Sequence, residues 1–234
     1  MYEQKRKKID VIIPTWENEE MHNAAKASIT ANTAMDLRFY KFKDTTKNLG
    51  WIHCCNEGIR SSLNSKDSEY ILLSNDDILV SPTSDWGTTM TGIMDKIPSI
   101  GALGPLTNQA CGWSILNSQN ACGSNIDFFK VPYISFFFVL IRKTAFNDIG
   151  ILDERLPGGD DLDFCFRLND KGFNVGVTTK VFVWHHYAQT GKKIYGDYWD
   201  SKEHTQKINK ALIDKHGFKK YVYAISGFEE ETNG

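Results

Sequence analysis

Short apolar runs and amphipathic stretches alternate along the chain. Ile9 to Ile13 (IDVII) is a β-branched run ended by Pro14, which predicts a buried strand stopping in a loop. Trp16 to Glu20 then leads into Met21 to Thr33, where Met21, Ala24, Ala25 and Ile29 share one helical face and the early acids suit a helix N-terminus. Leu37 to Phe42 alternates as a second strand. Asn48-Leu49-Gly50 is a turn before a helix from Trp51 to Leu63, and Tyr70 to Leu73 is the next strand. This order predicts an α/β fold with a central, mostly parallel sheet flanked by helices, whose ligand sites lie at the carboxyl ends of its strands.

The second half continues the alternation. A helix is predicted from Asp85-Trp86 to Lys96, a strand at Ile100 to Leu103, a strand at Tyr133 to Arg142 and a helical turn at Thr144 to Ile149. Gly158-Gly159 precedes a helix from Asp160 to Lys171, Val175 to Trp184 returns as strand, and Ile208, Leu212 and Ile213 carry helical spacing within 201–216. Between these elements, 104–125 is rich in Gly, Asn and Ser; a binding loop and a plain surface excursion fit that composition equally. No repeat or linker divides the chain, so one domain over 1–234 is expected.

Composition narrows the function classes. A chain of 234 residues buries roughly 70% of its unfolded surface without a disulfide framework. Five cysteines, an odd count with no CxxC pair, suit a reducing compartment and argue against structural zinc. The formal charge of −2 gives no electrostatic case for nucleic acid. Lys5-Arg6-Lys7-Lys8 reads as a solvated tip, with a peripheral membrane contact as the alternative. Val131 to Ile141 is far short of the ~20 residues of a spanning helix, and Asp10 and Pro14 interrupt any secretory-signal centre. The expected location is cytoplasmic.

Three polar clusters stand just past strands or open helices: Ser74-Asn75-Asp76-Asp77, Gly159-Asp160-Asp161-Leu162-Asp163 and Trp184-His185-His186. Adjacent aspartates repel unless a cation or exposure in a turn offsets them. Mg2+ or Mn2+ takes carboxylate and water ligands, and Mn2+ also accepts imidazole, so one carboxylate, one imidazole and a diphosphate would form an open octahedral site. Taken alone, such a pair after a strand more often marks a turn or a helix cap than a metal site. In the second cluster, helical spacing puts Asp160 and Asp163 on one face and turns Asp161 away. A carboxylate at a helix start beside a strand-end cleft can accept a proton from a substrate hydroxyl; capping of the helix and its dipole is the equal alternative.

The strings VIIPTWENEE (11–20), NLGWIHCCNEGI (48–59), ILLSNDDIL (71–79), ISFFFVLIRKTAFNDIGILDE (134–154) and GGDDLDFCFRLNDKGFNVG (158–176) occur in the order seen in family-2 glycosyltransferases of the GT-A fold. The chain most resembles the rhamnosyltransferase-like branch, including HHYAQTGK (185–192) and NKALIDKHGF (209–218). That resemblance implies a nucleotide-binding half over about 1–103 and an acceptor and catalytic half over about 104–234. It implies a nucleotide-diphosphate sugar donor (UDP-, dTDP- or GDP-linked), a glycan acceptor, and Mn2+ or Mg2+ bridging the diphosphate. Within Ser74-Asn75-Asp76 the metal contact falls to Asp76, with Asp77 as neighbour or, in a shifted register, as ligand; His185 or His186 completes the shell. Asp161 matches the general base, with Asp160 and Asp163 as supports. Pro14, Thr15 and Glu17 match the first loop of the nucleotide pocket, joined by Asn48 and Asn75, and Asp44 stands in a shortened form of the base-reading turn. Ser74 departs from the acid usual at the head of the metal motif.

Competing classes are weaker. A sugar-phosphate nucleotidyltransferase would show a Gly-rich basic loop near its first strand, which VIIPTWENEE lacks. A non-catalytic carbohydrate-binding protein would use Trp16, Trp51, Trp113 and Trp199 as sugar platforms.

Overall fold

The computed structural model describes residues 8–40, 49–109, 126–186, 192–193 and 196–226. Its strands are β1 (Lys8–Ile12), β2 (Asp36–Tyr40), β3 (Ser68–Ser74), β4 (Ile78–Val80), β5 (Ile100–Leu106), β6 (Phe129–Lys130), β7 (Phe138–Arg142) and β8 (Asn174–His185). Its helices are α1 (Glu19–Ala31), α2 (Trp51–Leu63), α3 (Trp86–Lys96), α4 (Ala145–Ile149), α5 (Asp160–Asp170), α6 (Lys202–His216) and α7 (Phe218–Ser226).

The strands join in the order β2-β1-β3-β7-β5-β8-β4, with β6 on β8. The α/β layering agrees with the alternation of the sequence, but the expected mostly parallel sheet is a mixed one. β1 pairs parallel with β2 and β3, and β5 with β8, whereas β7 runs antiparallel between β3 and β5 and β4 and β6 lie antiparallel on β8. An apolar strand buried on both faces looks the same in either direction, so the sequence cannot mark β7 as reversed. Tyr133 to Phe137, expected as strand, is buried irregular chain ahead of β7. Helix α7 falls where no element was expected.

Each face of the sheet buries its own core. Ala25 and Ile29 of α1 and Trp86, Met90 and Met94 of α3 cover one face; Cys55 and Ile59 of α2 and Phe164, Cys165 and Leu168 of α5 cover the other. Burying Asp10 in β1 is tolerated because Lys143 Nζ and Arg38 Nη2 stand 2.7 and 2.6 Å from its carboxylate and the hydroxyls of Ser62 and Ser68 donate to it. The described cysteines Cys54, Cys55 and Cys165 are free and buried. Among the described residues, no helix is long and apolar enough to cross a membrane.

Direction fixes where the site lies. β3, β5 and β8 run the same way as β1, so Pro14-Thr15, Asn75-Asp76-Asp77 and His185-His186 gather at one carboxyl end. α2 leads down into β3 and α5 into β8, so both helices start at that same end.

Candidate active site

Two acidic centres occupy the carboxyl end of the sheet. The first forms where β3 stops. Asn75 N donates to the Phe137 carbonyl at 2.9 Å, turning the chain so that both following aspartates are buried. They diverge at once. Asp76 Oδ2 accepts from Thr15 Oγ1 at 2.8 Å, which binds the first loop to the acidic turn. Burial pushes the Asp76 carboxyl up to about 6, against the Thr15 hydrogen bond and with help from the charge of Asp77. Asp77 turns the other way, its Oδ1 3.2 Å from His185 Nε2. Ser74 is fully buried and donates to the Asn75 carbonyl, so its hydroxyl shapes the turn.

His185 is held on every side. Its ring stacks on Phe137 with centroids 4.9 Å apart and planes 15° off parallel. The Asn108 side chain brackets its backbone, accepting from His185 N at 2.7 Å and donating to His185 O at 3.0 Å. Nδ1 lies 2.8 Å from the Gln109 carbonyl, an acceptor only, so Nδ1 carries the proton and donates. The Nε2 lone pair then faces the Asp77 carboxylate and, at 3.3 Å, the Asn75 amide. Two lone-pair donors held side by side, with the second imidazole nitrogen fixed by a carbonyl, match the ligand pattern of a metal-binding histidine. Among the described residues, no group of three or more His, Cys, Asp or Glu gathers around one point. A divalent ion would thus take Asp77 and His185 from the protein and fill its remaining positions from water or a diphosphate. His186 is exposed, and its backbone N donates to the Asp77 carbonyl.

The second centre opens α5. Gly159, with φ of 71°, delivers the chain into the helix; Asp160 and Asp161 are half-buried at its first positions. Both carboxyls are pushed up by burial, Asp160 further because it also feels Asp161 and Asp163, while Asp161 Oδ1 accepts from Leu162 N at 2.8 Å. Two carboxyls this close, both pushed up by burial, do not ionise together as readily as isolated ones, which suits one of the pair to accept a proton.

Asp163 does something else. It is fully buried, with Arg167 Nη2 at 2.8 Å on Oδ2 and His216 Nε2 and Lys215 Nζ at 2.7 and 2.5 Å on Oδ1. Burial would raise its pKa, but the hydrogen bond from Lys215 foremost, with the Arg167 charge and the His216 hydrogen bond, holds it below the ordinary carboxylate value. It anchors α6 to α5. Above the same joint, a Cβ on Gly159 would meet Leu212 Cδ1 at 2.8 Å and one on Gly158 would meet Ile208 Cδ1 at 2.8 Å. α6 is therefore seated directly on the glycines that introduce Asp160.

Of the remaining expected residues, Pro14 is buried behind Thr15. Glu17 is exposed with φ of 49° and stands 3.6 Å from Lys193 Nζ, which also lies over the Trp16 ring. Asp44 and Asn48 lie outside the described residues. The sequence reading did not single out Asn108, Gln109 or Phe137, which hold His185: none carries a charge, and only the pairing of β8 with β5 and of β7 with β3 and β5 brings the ends of these strands to the histidine.

The sequence matches no protein-family model. Nor does any curated protein match it. Its fold does match solved structures. GalNAc-T7 with UDP, GalNAc and Mn2+ superposes with a TM-score of 0.58 at 13% identity, over 78% of this chain and 44% of that one. TarS 1-349 of S. aureus with UDP-GlcNAc gives 0.59 at 13% identity, over 88% of this chain and 67% of that one. The mannosyltransferase PcManGT of Pyrobaculum calidifontis with GDP-Man and Mn2+ gives 0.60 at 12% identity, over 90% and 65%. The chain thus spans less than half the length of GalNAc-T7 and about two thirds of the other two. At such identity the likeness speaks for the fold: an α/β domain with the GT-A architecture of these glycosyltransferases.

Proposed function

We propose that the protein is an inverting, divalent-metal-dependent glycosyltransferase that moves a hexose or deoxyhexose from a nucleotide-diphosphate sugar to a hydroxyl of a glycan acceptor. One observation carries the reading: at the carboxyl end of a GT-A sheet stand two separate acidic centres, Asp77 with His185 and Asp160 with Asp161, whose environments suit two different tasks. The structural neighbours were solved with UDP, UDP-GlcNAc or GDP-Man, two of them with Mn2+, which supports the donor class and the metal.

In this reading Asp77 and His185 hold the metal, and Asp76 positions the first loop through Thr15. When bound, the ion offsets the negative charge that grows on the departing diphosphate. Asp161 accepts the proton of the acceptor hydroxyl as its oxygen bonds to the anomeric carbon and the bond from that carbon to the diphosphate oxygen breaks. One displacement inverts the anomeric centre and needs no covalent enzyme intermediate. Asp160 stands beside Asp161 at the same helix start, and Asp163 holds the helix that presents both. The rhamnosyltransferase-like resemblance favours a deoxyhexose and a place in polysaccharide assembly, and the odd cysteine count and apolar pattern favour cytoplasmic work.

The test is a donor panel (UDP-, GDP- and dTDP-sugars) with Mn2+ and a broad set of glycan acceptors, read as nucleoside diphosphate release. Release with one donor class, lost on chelation, is the expected result. No release from any donor, with the protein folded, would overturn the proposal. Asp161→Asn should bind donor as before and lose transfer by roughly 10²–10⁴-fold; normal transfer would remove Asp161 from the role of base.

A further inference from the structure

One buried polar group has no part in the chemistry above: the indole N–H of Trp51. Among the described residues, Trp51 Nε1 is buried and meets no hydrogen-bond partner. An indole N–H can only donate, and buried donors are nearly always met, so this one calls for an acceptor from outside the chain.

Its place in the fold says which acceptor. Trp51 is the first residue of α2 and follows Gly50, which has φ of 86° and no side chain to cap the helix. α2 and α5 begin at the same end of the sheet and cover the same face, where Cys55 and Ile59 share a core with Phe164 and Leu168 and both Trp51 and Leu162 pack against it. Asn56 ties α2 to the chain leading into α5, donating to Leu152 O at 2.9 Å and accepting from Leu152 N at 3.0 Å. Cys55, one turn inside α2 on the Trp51 side, is near enough to Asp160 to feel its charge, beneath the larger effect of burial. Trp51 therefore starts its helix beside the start of the helix that carries Asp160 and Asp161. A single N–H here, beside the helix that carries Asp160 and Asp161, can meet a sugar hydroxyl; comparison with the nucleoside diphosphate alone separates that from a phosphate contact.

We propose that Trp51 is a specificity-determining residue whose indole N–H donates to a hydroxyl of the donor sugar. The assignment rests on the transferase reading. It adds a discriminating contact, because a buried donor is met by a sugar that places a hydroxyl there and left unmet by one that does not.

Trp51→Phe keeps an aromatic ring in the core and removes only the N–H and the second ring. With Mn2+ present, calorimetry on the wild type and Trp51→Phe compares the nucleotide sugar that turns over best with its nucleoside diphosphate. The expected result is a roughly tenfold weaker nucleotide sugar and an unchanged nucleoside diphosphate. Donor analogues lacking one hydroxyl each give a second measurement: one of them should lose affinity for the wild type and none further for Trp51→Phe. Equal weakening of both ligands, no weakening of either, or a change confined to the acceptor KM would overturn the proposal. If Trp51→Phe fails to fold, the wild-type series decides alone, and uniform binding of all analogues overturns it. A wild type that binds no nucleotide sugar sinks the transferase reading itself; one that binds and transfers while Trp51→Phe discriminates nothing sinks only this assignment.

Discussion

Replacing Asp163 by alanine should destabilise the protein, because its carboxylate anchors α6 to α5 rather than serving the chemistry. The carboxylate is fully buried and takes four donor atoms from three residues: Arg167 Nε and Nη2 on Oδ2, Lys215 Nζ and His216 Nε2 on Oδ1. Removing one partner of a buried ion pair costs about 3–5 kcal/mol, because the cations lose their counter-charge while staying desolvated. Here the loss should fall near the lower end, about 3 kcal/mol. Lys215 and Arg167 remain 28% and 19% exposed, Lys215 keeps Asp153 at 2.7 Å, and Arg167 keeps the carbonyls of Ile149 and Ile151. For a chain of this size that is a fall in Tm of roughly 6–12 °C. Asp163→Asn, which keeps the shape and loses the charge, should fall between. The sign with pH follows from the depressed pKa: stabilisation is fully present above the unfolded carboxylate value near 3.8 and fades as pH drops through the folded value below it. Urea unfolding of wild type and variants from pH 7 to pH 3 checks both points. A difference under about 1 kcal/mol at pH 7, or one that does not narrow below pH 4, would refute the anchoring role.

Other consequences are equally direct. Asp160 has a raised folded pKa, so the folded state binds the extra proton and its burden on stability grows as pH rises from the ordinary carboxylate value; Asp160→Asn should raise Tm more at pH 8 than at pH 5, by calorimetry. Asn108→Ala frees the backbone of His185 without touching a ligand and should weaken Mn2+ binding about 10–100-fold, read by titration in the presence of nucleoside diphosphate. Gly159→Ala combines φ of 71° with a clash against Leu212 and should cost about 1–3 kcal/mol in denaturant unfolding, whereas Gly172→Ala, with φ of 81° and open space around it, should cost less.

Much of the frame was legible in the chain. Runs such as IDVII and YILL bury because they are apolar and β-branched, α2 and α3 follow from helical periodicity at their observed bounds, and the stop at Pro14 and the turn at Asn75 bring polar residues to strand ends. Strand direction was not legible, since β7 would have the same composition either way. Nor was α7, whose apolar residues Phe218 and Ile225 stay exposed while Tyr221 and Ala224 turn inward.

At the site, composition and order brought forward clusters that the fold gathers at one end of the sheet, but could not tell the environments within them apart. Asp76 and Asp77 are equivalent as letters; in the fold one faces Thr15 across 61 positions of chain and the other faces His185 across 108. Asp163 shares a helical turn with Asp160 in sequence, yet Lys215 and His216, more than fifty residues on, claim it for anchoring. The sequence by itself determined which residue types reach the carboxyl end of the sheet, because strand and helix periods are local. Which carboxylate meets which partner was decided only by the tertiary structure, because charge, burial and hydrogen bonding act through space between residues that the chain keeps far apart.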